Sequence, residues 1–307
     1  MRGPESERGA ESERGAALLA VLAMVVLLAS FATLGLSRLK AAGERISEAQ
    51  TLSEAQLLAG TGTTAAVSVI SQMKARARQS PALLTEPFRL ELQGGTVEAR
   101  FTDGGNCFNL NSLGRAQARA NMSETPAASR PQDFARLLVA TGIPLMEANT
   151  LAQATAARLA QTGQLWADPS EWAAIPGVTP RHWALAGPLL CALPTRENST
   201  VNINSLTAAQ APLLAGLGLG ADEARRAIGA RPSAGWNSAS DFMTSSGSNA
   251  DQTGEAAERM GTSTRWMRLS IVATTPRARV ARELLIDTLE QPAAVVSSRW
   301  RAVEEAS

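Results

Sequence analysis

The chain has 307 residues, enough for a membrane anchor plus one or two small domains. Lys and Arg number 29 against 28 Asp and Glu, so the formal net charge of +1 gives no global attraction to nucleic acid. A hydrophobic share of 45% is ordinary for a folded chain, so nothing in the composition points to disorder.

The first fifteen residues carry a tandem repeat, ESERGA from Glu5 and again from Glu11, and only the second copy abuts an apolar run. From Ala16 to Leu36 no residue is charged. At about 1.5 Å per residue this stretch makes a helix of roughly 30 Å, the thickness of a bilayer's hydrocarbon core. Arg2, Arg8 and Arg14 before the span and Arg38, Lys40 and Arg45 after it leave the orientation open. A secretory signal places its cleavage site behind the apolar run. Here the junction Arg14-Gly15-Ala16 stands in front of it. The arrangement resembles a type IV prepilin leader, and an uncut signal anchor is the other reading.

The prepilin resemblance implies cleavage after Gly15 by a prepilin peptidase, methylation of the new terminus at Ala16, and retention of the helix in the mature protein. It also orients the leader to the cytoplasm and the remainder outside. The fifth mature residue is then Ala20, where most pilins and pseudopilins carry Glu. An ionisable group in a membrane needs a partner, so a subunit with nothing stacked beyond it does better without one. The K-type minor pseudopilin of type II secretion is the family member that lacks this Glu.

Apolar residues then recur at three-to-four spacing from Leu39 through Leu58 to Met73, which predicts a continued helix with one apolar face, weakened at Gly60 and Gly62 and ended by Pro81. Phe88–Leu92 and Thr96–Phe101 alternate about Gly94-Gly95 as a hairpin. The following CFNLNSL, with Phe108, Asn109 and Asn111, resembles a signature of the K-type family; its asparagines suit the capping of backbone groups where a strand turns into a helix. Cys107 and Cys191 are either one bridge or two buried thiols.

Residues 114–132 read as an exposed linker, and from Asp133 the pattern becomes helical. Pro176-Gly177 within IPGVTP reads as a helix-hairpin-helix turn, and Asn202 and Asn204 of NINS open a second block resembling the K-type family. Gly247–Ala257 reads as polar and mobile. Arg265–Ala273, Arg277–Asp287 and Val295–Arg301 read as strands.

The fold class expected is α+β. A long N-terminal transmembrane helix packs on a mixed sheet, and an all-helical subdomain is inserted between two sets of strands. The divisions are a leader (1–15), the span (16–36), its continuation (37–80), the first pilin-like strands (81–113), the helical insert (133–245) and the closing strands (262–303).

The single histidine, His182, has no visible catalytic companions and reads as a surface or interface side chain; no phosphate loop or CxxC occurs, so no enzyme is expected. K-type pseudopilins bind calcium, but the family's acidic stretch is missing here. Asp168 and Glu171 remain, short of the six to eight oxygens such a cation takes. A helix-hairpin-helix DNA-uptake protein is the alternative, using Gly177, Gly218, Arg181, Arg225, Arg226 and Arg231. Asp222, Glu223 and Asp241 dilute that basic face and argue against nucleic acid.

The resemblance as a whole implies a minor pseudopilin that caps and primes a pseudopilus with I-type and J-type partners. It would sit in the inner membrane on the secretion platform, anchored in the lipid bilayer with its head in the periplasm.

Overall fold

The computed structural model describes residues 5–73, 86–115, 130–247, 253–290 and 292–303, with the backbone alone for 5–17, 114–115 and 253–255. The helix end expected at Pro81 and residues 116–129 of the expected linker lie outside the described residues.

Helix α1 runs unbroken from Glu5 to Ser68. At 1.5 Å per residue its 64 residues extend about 95 Å. Its last third packs on a sheet through Ala55, Leu58, Ala59 and Ala66, with Ile70 in the helical residues 70–73 that follow a one-residue turn. These positions fall on one face because three- and four-residue steps return to the same side of a helix. Small residues let the backbone come close, and a Cβ on Gly62 would stand 2.5 Å from Val97 Cγ1. The helix continues through both Gly60 and Gly62. Gly62 marks its closest approach to the sheet, while Gly60 faces open space.

The strands follow in chain order as β1 (Phe88–Leu92), β2 (Gly95–Asp103), β3 (Phe108–Asn109), β4 (Leu190–Cys191), β5 (Val201–Asn202), β6 (Met260–Gly261), β7 (Trp266–Thr274), β8 (Arg279–Asp287) and β9 (Ala294–Arg301). The main sheet has the order β1-β2-β7-β8-β9 and is antiparallel at every junction. Parallel pairing is confined to two short ladders, β3 with β4 and β5 with β6, so the mixed pairing is divided between sheet and insert. Strand alternation supplies the apolar face: Val97, Ala99 and Phe101 of β2 and Leu269, Ile271 and Ala273 of β7 are buried with the α1 residues. Gly94, at φ +96°, makes the tight β1–β2 turn that a side chain would strain.

Everything between β2 and β7 is one insert. Its ends meet, since Gly104 N donates to Trp266 O at 2.9 Å. The insert holds α2 (Pro131–Ala140), α3 (Leu145–Thr162), α4 (Pro180–Ala186), α5 (Pro212–Ala215), α6 (Ala221–Gly229), α7 (Ala239–Ser246) and α8 (Thr253–Glu258). Its core is a single cluster in which Phe134, Leu138 and Trp172 pack with Ile203, Leu214 and Phe242. Prolines at the first turns start several of these helices, and Gly163 ends α3 in the left-handed region. The stretch expected to be polar and mobile before β7 includes α8, whose Ala256 is buried in that core.

Candidate functional site

Two features distinguish the molecule: an apolar stretch of helix left exposed among the described residues, and an insert built twice. From Leu18 to Leu36 every large apolar side chain of α1 is exposed, and the helix is long and apolar enough to cross a membrane. Gly15 and Ala16 stand on this helix, and Ala20 lies exposed on its apolar stretch. No carboxylate occupies the helix between Ala16 and Leu36.

The insert repeats one plan. Phe108-Asn109-Leu110-Asn111-Ser112-Leu113 in the first half matches Val201-Asn202-Ile203-Asn204-Ser205-Leu206 in the second. Asn111 holds the backbone of Trp166 at both ends: Trp166 N donates to Asn111 Oδ1 at 2.7 Å and Asn111 Nδ2 donates to Trp166 O at 3.0 Å. Asn204 clamps Trp236 identically, at 2.6 and 3.0 Å. In each copy the first Asn accepts from the second one's N–H, at 3.2 Å in Asn109 and 3.1 Å in Asn202. Side-chain amides serve because each offers both an acceptor and a donor to a backbone segment that lies outside any helix or strand.

The match continues through the helices. Gly142 and Gly218 both turn at φ +96°, and in both turns the next residue donates to a leucine carbonyl, Ile143 N to Leu138 O and Leu219 N to Leu214 O. After each clamped Trp comes a helix N-cap, Asp168 or Ser238, whose side chain accepts from the first turn, and then a buried aromatic, Trp172 or Phe242. A left-handed glycine follows, Gly177 or Gly247, and each copy closes on its parallel ladder, β3–β4 or β5–β6. The structure thus pairs Gly218 with Gly142 and Gly177 with Gly247, whereas sequence reading set Gly177 beside Gly218. The duplication was missed because each asparagine block was read singly. The six-residue match of FNLNSL to VNINSL was the available signal.

The copies are fastened differently. Cys107 and Cys191 are joined in the first, with Cα atoms 5.7 Å apart, and tie β3 to β4. The corresponding contact in the second is between Thr200 and Gly261, where a Cβ on the glycine would lie 3.0 Å from Thr200 Cγ2. The second copy is fixed instead to the sheet. At the end of β2, Asp103 accepts from Gly105 N (2.8 Å), Asn106 N (3.1 Å), Asn202 Nδ2 (2.8 Å) and Ser205 Oγ (2.7 Å). Asn106 adds a clamp on Asn202, accepting from its N–H at 2.7 Å and donating to its carbonyl at 3.0 Å.

On the other side, Arg299 of β9 reaches Asp168 at 2.7 Å and Glu283 of β8 at 2.9 Å. Glu283 is buried among Arg268, Arg299 and Arg301. Burial pushes its carboxyl up, but the three guanidiniums outweigh that and hold it below the usual range. At Asp168 the upward push of burial is likewise outweighed, by the Ser170 hydrogen bonds and then by Arg299.

These bonds decide what the remaining candidates do. Asp168 and Glu171 form a capping box: Ser170 N donates to Asp168 Oδ1, and Ala167 N and Asp168 N donate to Glu171 Oε1. Their outer oxygens face Arg299 and Arg158, so the calcium candidates are occupied by helix capping and cations. Among the described residues no group of three or more His, Cys, Asp or Glu gathers to hold a metal. His182 is buried, contrary to expectation. Its Nδ1 accepts from Thr179 N at 3.1 Å and its Nε2 meets Glu147 at 3.0 Å, so it caps α4 and links it to α3.

For nucleic acid, the helix after the Gly218 turn starts with Asp222 and Glu223, and the one after the Gly142 turn with Pro144, Leu145, Met146 and Glu147. A phosphate would meet carboxylates or apolar side chains at both, and Arg225 is paired with Asp222.

A helix long and apolar enough to cross a membrane, continuing across an antiparallel sheet, is the layout of a pilin-like fold, here carrying a large duplicated insert. Family models described as Type II secretion system (T2SS), protein K, match residues 106–195 and 201–263, the two copies of the insert. A Type II secretion system protein K from Aeromonas hydrophila is 42% identical over 69 residues, 22% of this chain and 20% of that protein's length. A chain of the GspK-GspI-GspJ complex from the enterotoxigenic Escherichia coli Type 2 Secretion System has the same fold, with a TM-score of 0.69 and 20% identity over 84% of this chain and all of that one. Both copies of the insert, residues 106–195 and 201–263, thus match the type II secretion system protein K family.

Proposed function

We propose that this protein is the tip subunit of a type II secretion pseudopilus. It caps and primes the filament with I-type and J-type minor pseudopilins and so supports export of folded proteins across the outer membrane. The observation that carries the reading is the duplicated insert, which hangs on a pilin-like helix and sheet and enters and leaves between neighbouring strands β2 and β7. A head so enlarged fits above a filament and clashes with the next subunit when stacked within it.

The lack of a carboxylate at Ala20 supports the same placement, because no later subunit is there to supply an amine for it. The similarity to a chain of the GspK-GspI-GspJ complex supports the choice of I-type and J-type partners. In this reading a prepilin peptidase removes residues 1–15, Ala16 becomes the methylated terminus, the apolar helix stays in the inner membrane beside the secretion platform, and the rest lies in the periplasm. An oxidising periplasm would sustain the Cys107–Cys191 bridge. We assign no catalytic step and no resident cation to the protein.

Intact mass of the membrane-extracted protein, from cells with and without a prepilin peptidase, tests the reading. Loss of Met1 to Gly15 with gain of one methyl group, only when the peptidase is present, is the expected result. An unchanged mass in both would make the helix an uncut anchor and remove the basis for placing the protein in a filament.

A further inference from the structure

The duplication allows one copy to serve as the control for the other: what the shared plan requires must appear twice, and what appears once answers to something else. Between the second helix of each copy and its clamped tryptophan, the first copy has three residues, 163–165, and the second has six, 230–235. The longer loop closes by a turn, Gly235 N donating to Pro232 O at 2.8 Å, and returns Trp236 to the same clamp as Trp166. Its extra residues add Arg231, Pro232 and Ser233 to the wall of a cavity of about 970 Å³ where both copies meet the sheet.

The cavity's charges do not cancel. Arg231 Nη2 donates to Leu206 O, and Arg231 Nε, shielded from solvent, has no partner. Among the described residues Arg231 makes no ion pair, and its partial burial weakens its hold on the proton. The carboxylate in the same cavity, Asp103, already accepts four hydrogen bonds from the insert. Arg268, the other cation there, is shared with Glu283 at 3.6 Å. Beside Arg231 stand the prolines Pro212 and Pro232, with Leu185 exposed nearby, while Thr207 and Ser233 add hydroxyls. A half-buried guanidinium with no ion-pair partner among the described residues is complementary to a carboxylate.

We propose that this cavity is a binding site for the chain-terminal carboxylate of a partner polypeptide that ends in an apolar residue. The carboxylate pairs with Arg231 and the terminal side chain lies against Pro212 and Pro232. A chain end fits better than an acidic side chain, because it sets an apolar group directly beside the carboxylate, whereas Asp or Glu brings two peptide groups to the same wall. The site uses no residue of the membrane helix and stands independently of the tip-cap reading.

The test is a titration of the full chain in detergent micelles with N-acetyl-leucine, reading the arginine Nε–H resonances, of which Arg231 is assigned by its loss in Arg231→Lys. A ligand of this size should bind at about millimolar strength. A saturable shift of the Arg231 resonance is expected, with none from N-acetyl-leucinamide, which lacks the carboxylate. Leu185→Trp, which fills the rim and leaves Arg231 in place, should abolish the shift with the melting temperature kept. A shift as large with the amide, one undiminished in Leu185→Trp, or none at all would overturn the site. An equal response to N-acetyl-isoglutamine, whose sole carboxylate is on its side chain, would overturn the assignment to a chain end.

Discussion

Asn111 and Asn204 each replace a missing strand partner for one tryptophan backbone, and their value lies in what happens when they are removed. Asn111→Ala leaves the buried N–H and carbonyl of Trp166 and the carbonyl of Leu193 without partners. It should cost about 2–4 kcal/mol, since orphaned buried groups lose their full solvation. Asn111→Asp should recover little, because an oxygen then faces two carbonyls; denaturant midpoints in detergent would rank the three proteins. Glu283 makes stability depend on pH. Its folded pKa lies below its ordinary value of 4.5, so its contribution is complete above that value and is lost as pH falls through and below it. Unfolding between pH 7 and pH 3 should show this slope, and Glu283→Gln should flatten it while lowering stability at neutral pH. The asparagines were legible in the sequence as capping residues. Their long-range partners were not, because nothing local to Asn111 points to a tryptophan fifty-five positions away.

At the scale of elements, helix α1 shows where sequence pattern succeeds and where it stops. Its apolar spacing located the face that meets the sheet, and alternation located β1 and β2, because both signals come from burial on one side. The two glycines looked alike in the sequence, and only the packed structure separates them. Gly60→Ala should stabilise by up to about 1 kcal/mol, the ordinary helix-interior difference. Gly62→Ala should destabilise by about 1–3 kcal/mol, because the new methyl must displace Val97 from the core. Melting curves showing the two changes equal in sign would refute this contact. Strands β3 to β6 were beyond sequence reading for a different reason. Each has two residues, too few for any period, and its pairing partner lies across a whole copy of the insert.

Across the whole molecule, the meeting of Gly104 and Trp266 predicts that the insert is separable. Joining Asp103 to Trp266 through a short glycine turn should leave α1 and the five-stranded sheet folded, because that sheet has its own apolar cluster. In cells assembling pseudopili, immunogold labelling should then find the shortened protein along the filaments and not at one end. Labelling still confined to an end would show that the insert does not set the position.

The same junction governs how force travels. A push or pull along α1 passes into β2 and β7 through side-chain packing, and the insert, attached at two adjacent points on one edge of that path, has no tension drawn through its backbone. A load on the helix therefore leaves the insert's own fold unstretched.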